Sequence, residues 1–278
     1  MICSVKITDY AVNQCFALVK HRLFFVLICL FLVPMQNAFA DDVFDEELES
    51  DRPDFTEGTQ TIQSGRYQFE LGYTFTKDDE DAVRVEEHVD PEILARIGLI
   101  EDLELRLAWS GYTSLEVNGS RDEGVTDLSV GFKHRMYRAE GFRPDLSFIA
   151  ELNVPVGSSF TTSDELEFAG KLLWAYPLEP ISVAGNINFG TPIGEDGRYL
   201  EISNSLALGV SLSERIGTYL EYFGFYPVED VVETTLHFLN GGFTYSLNEN
   251  VQFDIRAGFG LNDPAAGFFT GAGLVFRM

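Results

Sequence analysis

The sequence has 278 residues, with 19 Lys and Arg against 44 Asp and Glu, a formal net charge of −25 and a pI near 4.3. This charge argues against a nucleic-acid-binding protein, because such a chain lacks the cations that displace counterions from phosphates. A hydrophobic content of 45% argues against a disordered acidic chain, and a mean hydropathy of +0.01 argues against a bundle of membrane-spanning helices.

The first forty residues have the pattern of a secretory signal. An apolar run over residues 23–33 follows a basic stretch at 20–22 and leads to Ala38 and Ala40. The run is short for a spanning helix, which needs about 20 apolar residues. A basic flank, a short apolar core and a small-x-small end are typical of a cleaved signal peptide. We therefore predict a signal peptide over residues 1–40, with a buried helix of the mature fold as the alternative.

The three cysteines, Cys3, Cys15 and Cys29, all lie within this leader. Cys29 is not preceded by the small residue that a lipid-attachment site would have, so the sequence does not predict a lipoprotein. An exported chain without cysteines fits the periplasm or outer membrane of a Gram-negative cell.

Residues 41–65 are polar and strongly acidic. Carboxylates crowd the stretch from Asp41 to Asp54, where Arg52 is the sole cation. Charge runs of this kind are usually solvated, so we predict an acidic periplasmic N-terminal segment that faces water. A cation-binding cluster is the alternative interpretation.

From residue 66 onward, apolar side chains alternate with polar or small ones. Tyr67, Phe69 and Leu71 alternate with Gln68 and Glu70, which is the period of a strand with one apolar and one wet face. The alternation predicts twelve strands, at residues 66–77, 92–99, 103–109, 127–133, 146–154, 166–176, 181–189, 200–212, 216–226, 234–246, 251–261 and 268–278. An even number of strands, each about ten residues long, predicts an all-β fold, a transmembrane antiparallel up-and-down β-barrel over residues 66–278.

The lengths of the connections support the same fold. With the N-terminus in the periplasm, outer connections such as 78–91 and 112–124 are longer on average than periplasmic ones such as 100–102 and 213–215, with 137–144 as the exception. Outer-membrane barrels have short periplasmic turns and longer outer loops. A soluble β-sandwich or lipocalin-like barrel is the alternative, but its polar face would carry more Lys and charged pairs.

Strand parity assigns a largely charged set of side chains to the lumen. The pore-lining candidates are Glu70, Arg96, Glu104, Arg106, Lys133, Glu151, Glu167, Lys171, Glu201, Glu221, Phe223, Asp254 and Arg256. Ile149, Leu173, Tyr219 and Phe225 add apolar lining. Barrels of about eight strands are filled by side chains and those of 16 or more leave water. Twelve strands therefore predict a narrow or partly plugged lumen.

The C-terminal strand and the strand-end aromatics predict the partners. Residues 272, 274, 276 and 278 alternate back from the end, which is the kind of strand that the outer-membrane assembly machinery reads, although Met278 stands where a Phe is expected. Tyr, Trp and Phe near strand ends suit the headgroup level of a bilayer. The predicted partners are outer-membrane lipid and lipopolysaccharide, the assembly machinery and a small-molecule solute, with no nucleic acid.

Several stretches resemble a known family. These are Asp51-Arg52-Pro53-Asp54-Phe55-Thr56-Glu57, Gly65-Arg66-Tyr67-Gln68-Phe69-Glu70-Leu71-Gly72-Tyr73, Asn153-Val154-Pro155-Val156-Gly157-Ser158, Phe243-Thr244-Tyr245-Ser246-Leu247 and the C-terminal region 252–277. The chain resembles the outer-membrane proteins associated with the meta-pathway of phenol degradation. The resemblance implies an outer-membrane transporter and carries over no catalytic or ligand residue.

These observations predict a non-enzymatic channel or transporter for passive uptake of small solutes, with aromatic or hydrophobic solutes favoured by the apolar lining. No cofactor or metal site is predicted, because no metal, phosphate-binding or nucleotide motif occurs in the sequence. One alternative is a structural or adhesive barrel that presents the acidic loops 78–91 and 112–124. A hydrolase would need Ser beside His88, His134 or His237, and a soluble periplasmic β-protein is the remaining alternative.

Overall fold

The structure is a computed structural model that describes residues 47–80, 83–194, 197–228 and 234–278. The predicted signal peptide, residues 1–40, lies outside the described residues. In the part that is described, the regular structure is entirely β. No helix among those residues is long and apolar enough to span a membrane.

Sixteen strands follow one another within the described residues. They are β1 (Tyr67–Glu80), β2 (Val83–Ile100), β3 (Leu103–Trp109), β4 (Tyr112–Val117), β5 (Ser120–Val125), β6 (Leu128–Tyr137), β7 (Asp145–Val154), β8 (Glu167–Leu178), β9 (Ile181–Gly190), β10 (Ile193–Gly194), β11 (Gly197–Arg198), β12 (Glu201–Ser211), β13 (Ile216–Pro227), β14 (Leu236–Asn248), β15 (Val251–Gly260) and β16 (Phe268–Arg277).

Twelve of these strands form a closed antiparallel barrel in the order β1-β2-β3-β6-β7-β8-β9-β12-β13-β14-β15-β16. β1 closes the ring, because Leu71 lies opposite Leu274 of β16 on one side and opposite Ile93 of β2 on the other. The predicted up-and-down barrel of twelve strands is confirmed, and each predicted strand corresponds to one strand of the ring.

Two stretches that the sequence predicts as loops are β-structure instead. β1 and β2 continue into residues 78–91, where Lys77 lies opposite Glu86. Residues 112–124 fold into the β4–β5 hairpin, which pairs with the outer half of β2 through Val89 and Thr113. Pairing of this kind satisfies backbone N–H and C=O groups that a long irregular loop would leave to water.

The two faces of the barrel have opposite chemistry. Phe132, Phe148 and Ile255 point outward and are 48%, 43% and 58% exposed, whereas their inward neighbours Lys133 and Asp254 are 0% and 3% exposed. A water-soluble barrel would bury the apolar set instead. Apolar side chains outside and polar side chains inside are what a lipid-facing barrel requires.

The interior is filled largely by the chain that precedes β1. We call residues 47–66 the lumenal segment. Asp51, Thr56 and Thr59 of this segment are 8%, 4% and 2% exposed. The prediction of a solvated acidic segment is therefore wrong for these residues, because the barrel wall supplies cations and hydrogen-bond donors that replace water around the carboxylates.

Candidate functional site

The lumenal segment enters the barrel, turns near Phe55 and returns to β1. Its outgoing part lies beside β1 and β2, where the Glu49 carbonyl accepts a hydrogen bond from Gln68 at 2.9 Å. On the return, the Thr59 carbonyl accepts from the Ser147 hydroxyl, and the Ile62 amide donates to Glu104 at 2.8 Å. The segment therefore contacts strands around much of the ring rather than one edge of it.

Asp51 is held by three cations of the barrel wall. Its carboxylate lies 2.5 Å from Arg106 Nη1, 3.0 Å from Lys133 Nζ and 3.7 Å from Arg96 Nη1. The three cations project from the neighbouring strands β2, β3 and β6, where Arg96 lies opposite Arg106. Burial alone would raise the pKa of the Asp51 carboxyl, but Arg96, Lys133 and Arg106 outweigh it and hold that pKa well below its usual value.

Glu57 makes a second ionic contact with the same side of the barrel. Its carboxylate lies 2.9 Å from Arg106 Nη2 and 3.1 Å from Lys171 Nζ, and Lys171 also pairs with Glu151 at 2.8 Å. We call Arg96, Arg106, Lys133 and Lys171 the cationic wall.

Carboxylates of the barrel hold the cationic wall in place. Arg96 makes a two-bond contact with Glu104, at 2.9 Å from Nε and 3.1 Å from Nη2, and lies 3.3 Å from Glu70. Arg106 lies 3.0 Å from Glu104 and 3.6 Å from Glu151. With the lumenal segment in place, Glu70, Arg96, Glu104 and Arg106 are nearly inaccessible to water, and their charge-assisted contacts with one another lie within the wall.

The opposite side of the lumen contacts the turn of the segment through an aromatic cluster and Glu221. The Phe55 ring stacks on Phe223 with centroids 4.7 Å apart and meets Phe225 edge-on at 5.3 Å. Phe223 also stacks on Phe238 at 4.8 Å and lies 6.1 Å from Phe269. We call Phe223, Phe225, Phe238 and Phe269 the aromatic cluster.

Glu221 binds the backbone of the turn. It accepts hydrogen bonds from the amides of Phe55 and Thr56 at 2.8 and 2.6 Å, and from the Thr56 hydroxyl at 2.6 Å. Asn240 donates to the same carboxylate at 3.0 Å. Burial, and then the nearby charge of Glu221, raise the pKa of the Asp54 carboxyl well above its usual value.

The Arg52 side chain of the lumenal segment forms ion pairs with acidic side chains of the barrel. Its guanidinium lies 2.7 Å from Glu92 and 3.6 Å from Asp254. A side chain at Gly72 or Gly273 would place its Cβ 2.0 or 2.4 Å from this guanidinium. Two glycines on facing positions of β1 and β16 therefore create the space in which Arg52 lies.

The structure places the pore-lining candidates as follows. Glu70, Arg96, Glu104, Arg106, Lys133, Glu221, Phe223 and Asp254 are buried, and Glu151, Glu167, Lys171, Glu201 and Arg256 are half-buried. Most of them contact the lumenal segment or its immediate partners, and Arg256 donates to the Pro53 carbonyl at 3.0 Å. Glu167 instead accepts a hydrogen bond from the Ile193 amide at 3.2 Å, at the end of the barrel where β8 begins and β9 ends. Their role in a pore stays a prediction.

Sequence reasoning missed the partners that the lumenal segment contributes, above all Asp51, Arg52, Phe55 and Thr56. The signal was present in the motif that spans residues 51–57, which combines both charges, an aromatic ring and a hydroxyl. A run of carboxylates has the same composition whether it faces water or a cationic wall, so composition could not separate the two cases.

Among the residues that the structure describes, no group of three His, Cys, Asp or Glu residues is placed to hold a metal ion. The histidine rings make local hydrogen bonds: His88 with the Tyr73 hydroxyl at 2.8 Å, His134 with the Asp102 backbone carbonyl at 2.9 Å and His237 with the Tyr222 hydroxyl at 2.7 Å.

Known structures resemble this fold at low sequence identity. The NanC porin aligns with a TM-score of 0.52 and 7% identity, covering 76% of this chain and 100% of that chain. The translocator domain of the autotransporter NalP from Neisseria meningitidis gives 0.49 and 12%, covering 78% and 90%. The CymD monoaromatic hydrocarbon channel gives 0.42 and 8%, covering 78% and 88%. At such identities the likeness concerns the fold alone, which is that of outer-membrane β-barrels.

No curated protein matches the chain. One family matches residues 50–278, a range that includes nearly all of the lumenal segment and the whole barrel. The chain therefore belongs to the family described as "Putative MetA-pathway of phenol degradation".

Proposed function

We propose that this protein is an outer-membrane channel for passive uptake of small solutes, and that the lumenal segment closes the channel in the conformation described here. The observation that carries the proposal is the way in which the segment is bound. It fills the lumen mainly through ion pairs and hydrogen bonds, while its apolar contact is concentrated in the aromatic cluster.

The size of the barrel supports a path for solutes. Eight strands close on their own side chains, and 16 or more leave a water channel. The ring here has twelve strands and accommodates a chain that runs in and back. A cavity of about 370 Å³ remains beside the segment, lined by residues that include Glu49, Gln60, Arg96 and Glu101. Pockets for small ligands commonly have volumes of about 300–1,000 Å³.

The chemistry of the contacts supports release of the segment. When a buried ion pair separates and water surrounds each partner, the hydration energy of both charges is recovered. A buried ion pair is therefore weak evidence that the segment is bound permanently. The wall carboxylates Glu70, Glu104 and Glu151 remain beside the cations when the segment leaves. The wall therefore keeps much of its charge pairing without the segment.

The lining supports aromatic or hydrophobic solutes. Ile149 and Leu173 are fully buried among the charged groups, and the aromatic cluster lies at the turn of the segment. Membership in a family named for phenol degradation favours the same solutes.

The test measures permeation through the purified protein. Planar-bilayer conductance and liposome swelling in arabinose should be low for the wild type and higher for Phe55→Ala, which loosens the segment without changing a charge. Phe142→Ala is the matched control, because that ring is fully exposed. Absence of conductance and swelling in both the wild type and Phe55→Ala would contradict a channel.

A structural or adhesive barrel without transport is the second candidate, favoured by the same filling of the lumen. In that case, deletion of the acidic β4–β5 hairpin should abolish a surface phenotype, and Phe55→Ala should leave permeability unchanged. The permeation assay therefore separates the two candidates.

We also propose export through the leader at residues 1–40 and insertion into the outer membrane through the C-terminal strand, β16. Cell fractionation, N-terminal sequencing of the mature protein and heat-modifiable migration in gels test this. A periplasmic protein without a heat-dependent shift in migration would contradict insertion.

A further inference from the structure

The lumenal segment places a carboxylate and an aromatic ring into two separate sites of the wall. Asp51 occupies the site formed by Arg96, Arg106 and Lys133, and Phe55 occupies the aromatic cluster. These two residues lie four positions apart in the chain. Both contacts use the side chain alone, so a free molecule that carries the same groups could make them.

The carboxylate site is preorganised by the barrel. Glu104 and Glu70 fix Arg96, and Glu104 also lies 3.0 Å from Arg106 and 4.0 Å from Lys133. These partners belong to the wall and stay when the segment leaves. A site whose donors are held by the wall does not need the segment to form it.

The cationic wall and its own carboxylates carry a net positive charge, which favours binding of an anion from outside the wall. Arg96, Arg106, Lys133 and Lys171 face the wall carboxylates Glu70, Glu104 and Glu151, which leaves one cation in excess. The segment more than offsets that single positive charge, because Asp51 and Glu57 add two carboxylates. Without the segment, water or an anion from solution has to take the place of these carboxylates, because an unpaired cation in a confined lumen is energetically unfavourable.

The opposite side of the lumen limits where an anion can bind. Glu221 and Asp254 face the segment from there, and Arg256 lies on the same side. A carboxylate solute is therefore attracted to the cationic wall and repelled by the acidic groups across from it. The aromatic cluster carries no charge and can accept an aromatic ring as a separate site.

On the basis of the proposed channel function, we propose that the Arg96–Arg106–Lys133 site binds the carboxylate of small aromatic carboxylate solutes, that the aromatic cluster is a separate site for an aromatic ring, and that Asp51 and Phe55 occupy the two sites in the closed conformation as built-in stand-ins for such solutes. A solute of this class competes with the segment, so its arrival favours opening.

The first test removes the side chains that occupy the two sites and measures the binding of sodium benzoate by calorimetry in detergent. Asp51→Ala should bind benzoate at least about tenfold more tightly than the wild type, because the competing carboxylate is gone. Benzamide, the neutral analogue, should show no such gain. In Asp51→Ala/Phe55→Ala, benzamide should bind more tightly than it does in Asp51→Ala, because the ring site is then free as well.

The controls separate the site from a general loss of stability. Asp79→Ala removes a half-exposed carboxylate of β1 and should leave benzoate binding at the wild-type level. Lys133→Gln added to Asp51→Ala should abolish the gain. Heat-modifiable migration shows that each variant is folded. Equal benzoate binding by the wild type and a folded Asp51→Ala, or equal binding of benzoate and benzamide, overturns the proposal.

A second measurement uses the wild type and covers the case in which Asp51→Ala does not fold. Benzoate should accelerate hydrogen exchange at the amides of Asp51, Phe55, Thr56 and Gly58, which bind carboxylates in the closed state. Benzamide should not, and an unchanged exchange rate in benzoate overturns the proposal. Neither assay requires conduction, so failure of the permeation test contradicts the channel and failure of these tests contradicts the solute class.

Discussion

The cationic wall and the side of the lumen that carries Glu221 bind the same segment in different ways. The cationic wall contacts side-chain carboxylates at 2.5–3.7 Å and makes few apolar contacts with the segment. Across the lumen, Glu221 binds backbone amides, and the aromatic cluster stacks on one ring. The first mode recognises charge and the second recognises chain geometry and shape. The first is therefore open to competition by small anions, whereas the second holds the turn in position.

The largest expected effect comes from the cationic wall. Asp51→Ala leaves Lys133 without its segment carboxylate and Arg106 with Glu57 as its segment partner, and breaking a buried pair on one side costs about 3–5 kcal/mol. We expect hydrogen exchange of the segment amides to rise by at least about a hundredfold. Asp79→Ala is the control. If the exchange rate rises less in Asp51→Ala than in Phe55→Ala, the aromatic side contributes more to docking of the segment than the cationic wall does.

The aromatic side comes next. Phe55→Ala should weaken docking of the segment by about 3 kcal/mol, the lower end for truncating a large core side chain, because Phe55 is only partly buried. Exchange at the Thr56 amide reports the loss. Phe142→Ala, at a fully exposed ring, should leave the exchange rate unchanged, and an equal rise in both variants would contradict a specific role for the cluster.

Thr56→Val tests the geometric contact without changing volume or charge. The hydroxyl donates to Glu221 at 2.6 Å and contacts Ser205 at 2.7 Å, so its loss should cost about 1–3 kcal/mol. Exchange at the neighbouring Phe55 amide measures the effect. Thr235→Val, at an exposed position, is the control. No difference between the two would show that Glu221 holds the turn through its amides alone.

The smallest effect is a pH dependence of docking. The Asp54 carboxyl has a pKa raised first by burial and then by Glu221, with Asp51 adding to this and Arg256 opposing it. The docked segment holds this proton more tightly than the free segment, so docking should weaken as pH rises from the usual carboxyl range through the raised pKa. The lowered pKa of Asp51 adds an opposite slope only at more acid pH.

Asp54→Asn should flatten the dependence on the alkaline side and strengthen docking at neutral pH. Exchange of the segment amides across a pH series, corrected for the intrinsic rate, measures this. Asp263→Asn, at an exposed loop position, should keep the wild-type profile. An unchanged profile in Asp54→Asn would assign the pH dependence to another group.

The barrel itself could be predicted from the sequence. Alternation through β1, β12 and β15 specifies one face for lipid and one for the lumen, and a strand slipped by one residue would exchange the two faces. Glu221 on β13 is buried. The β-structure of residues 78–91 and 112–124 could not be predicted, because the two stretches pair with each other only when the outer half of β2 lies beside β4.

The sequence by itself determined the number of barrel strands, their direction of alternation and the sign of the charges that face inward, because period two is a local property. Only the tertiary structure decided where Asp51, Arg52 and Phe55 go. Their partners Lys133, Asp254 and Phe223 lie far along the chain and come within reach only when the ring closes. The burial of an acidic segment is a property of the wall around it, and that wall exists only in the folded barrel.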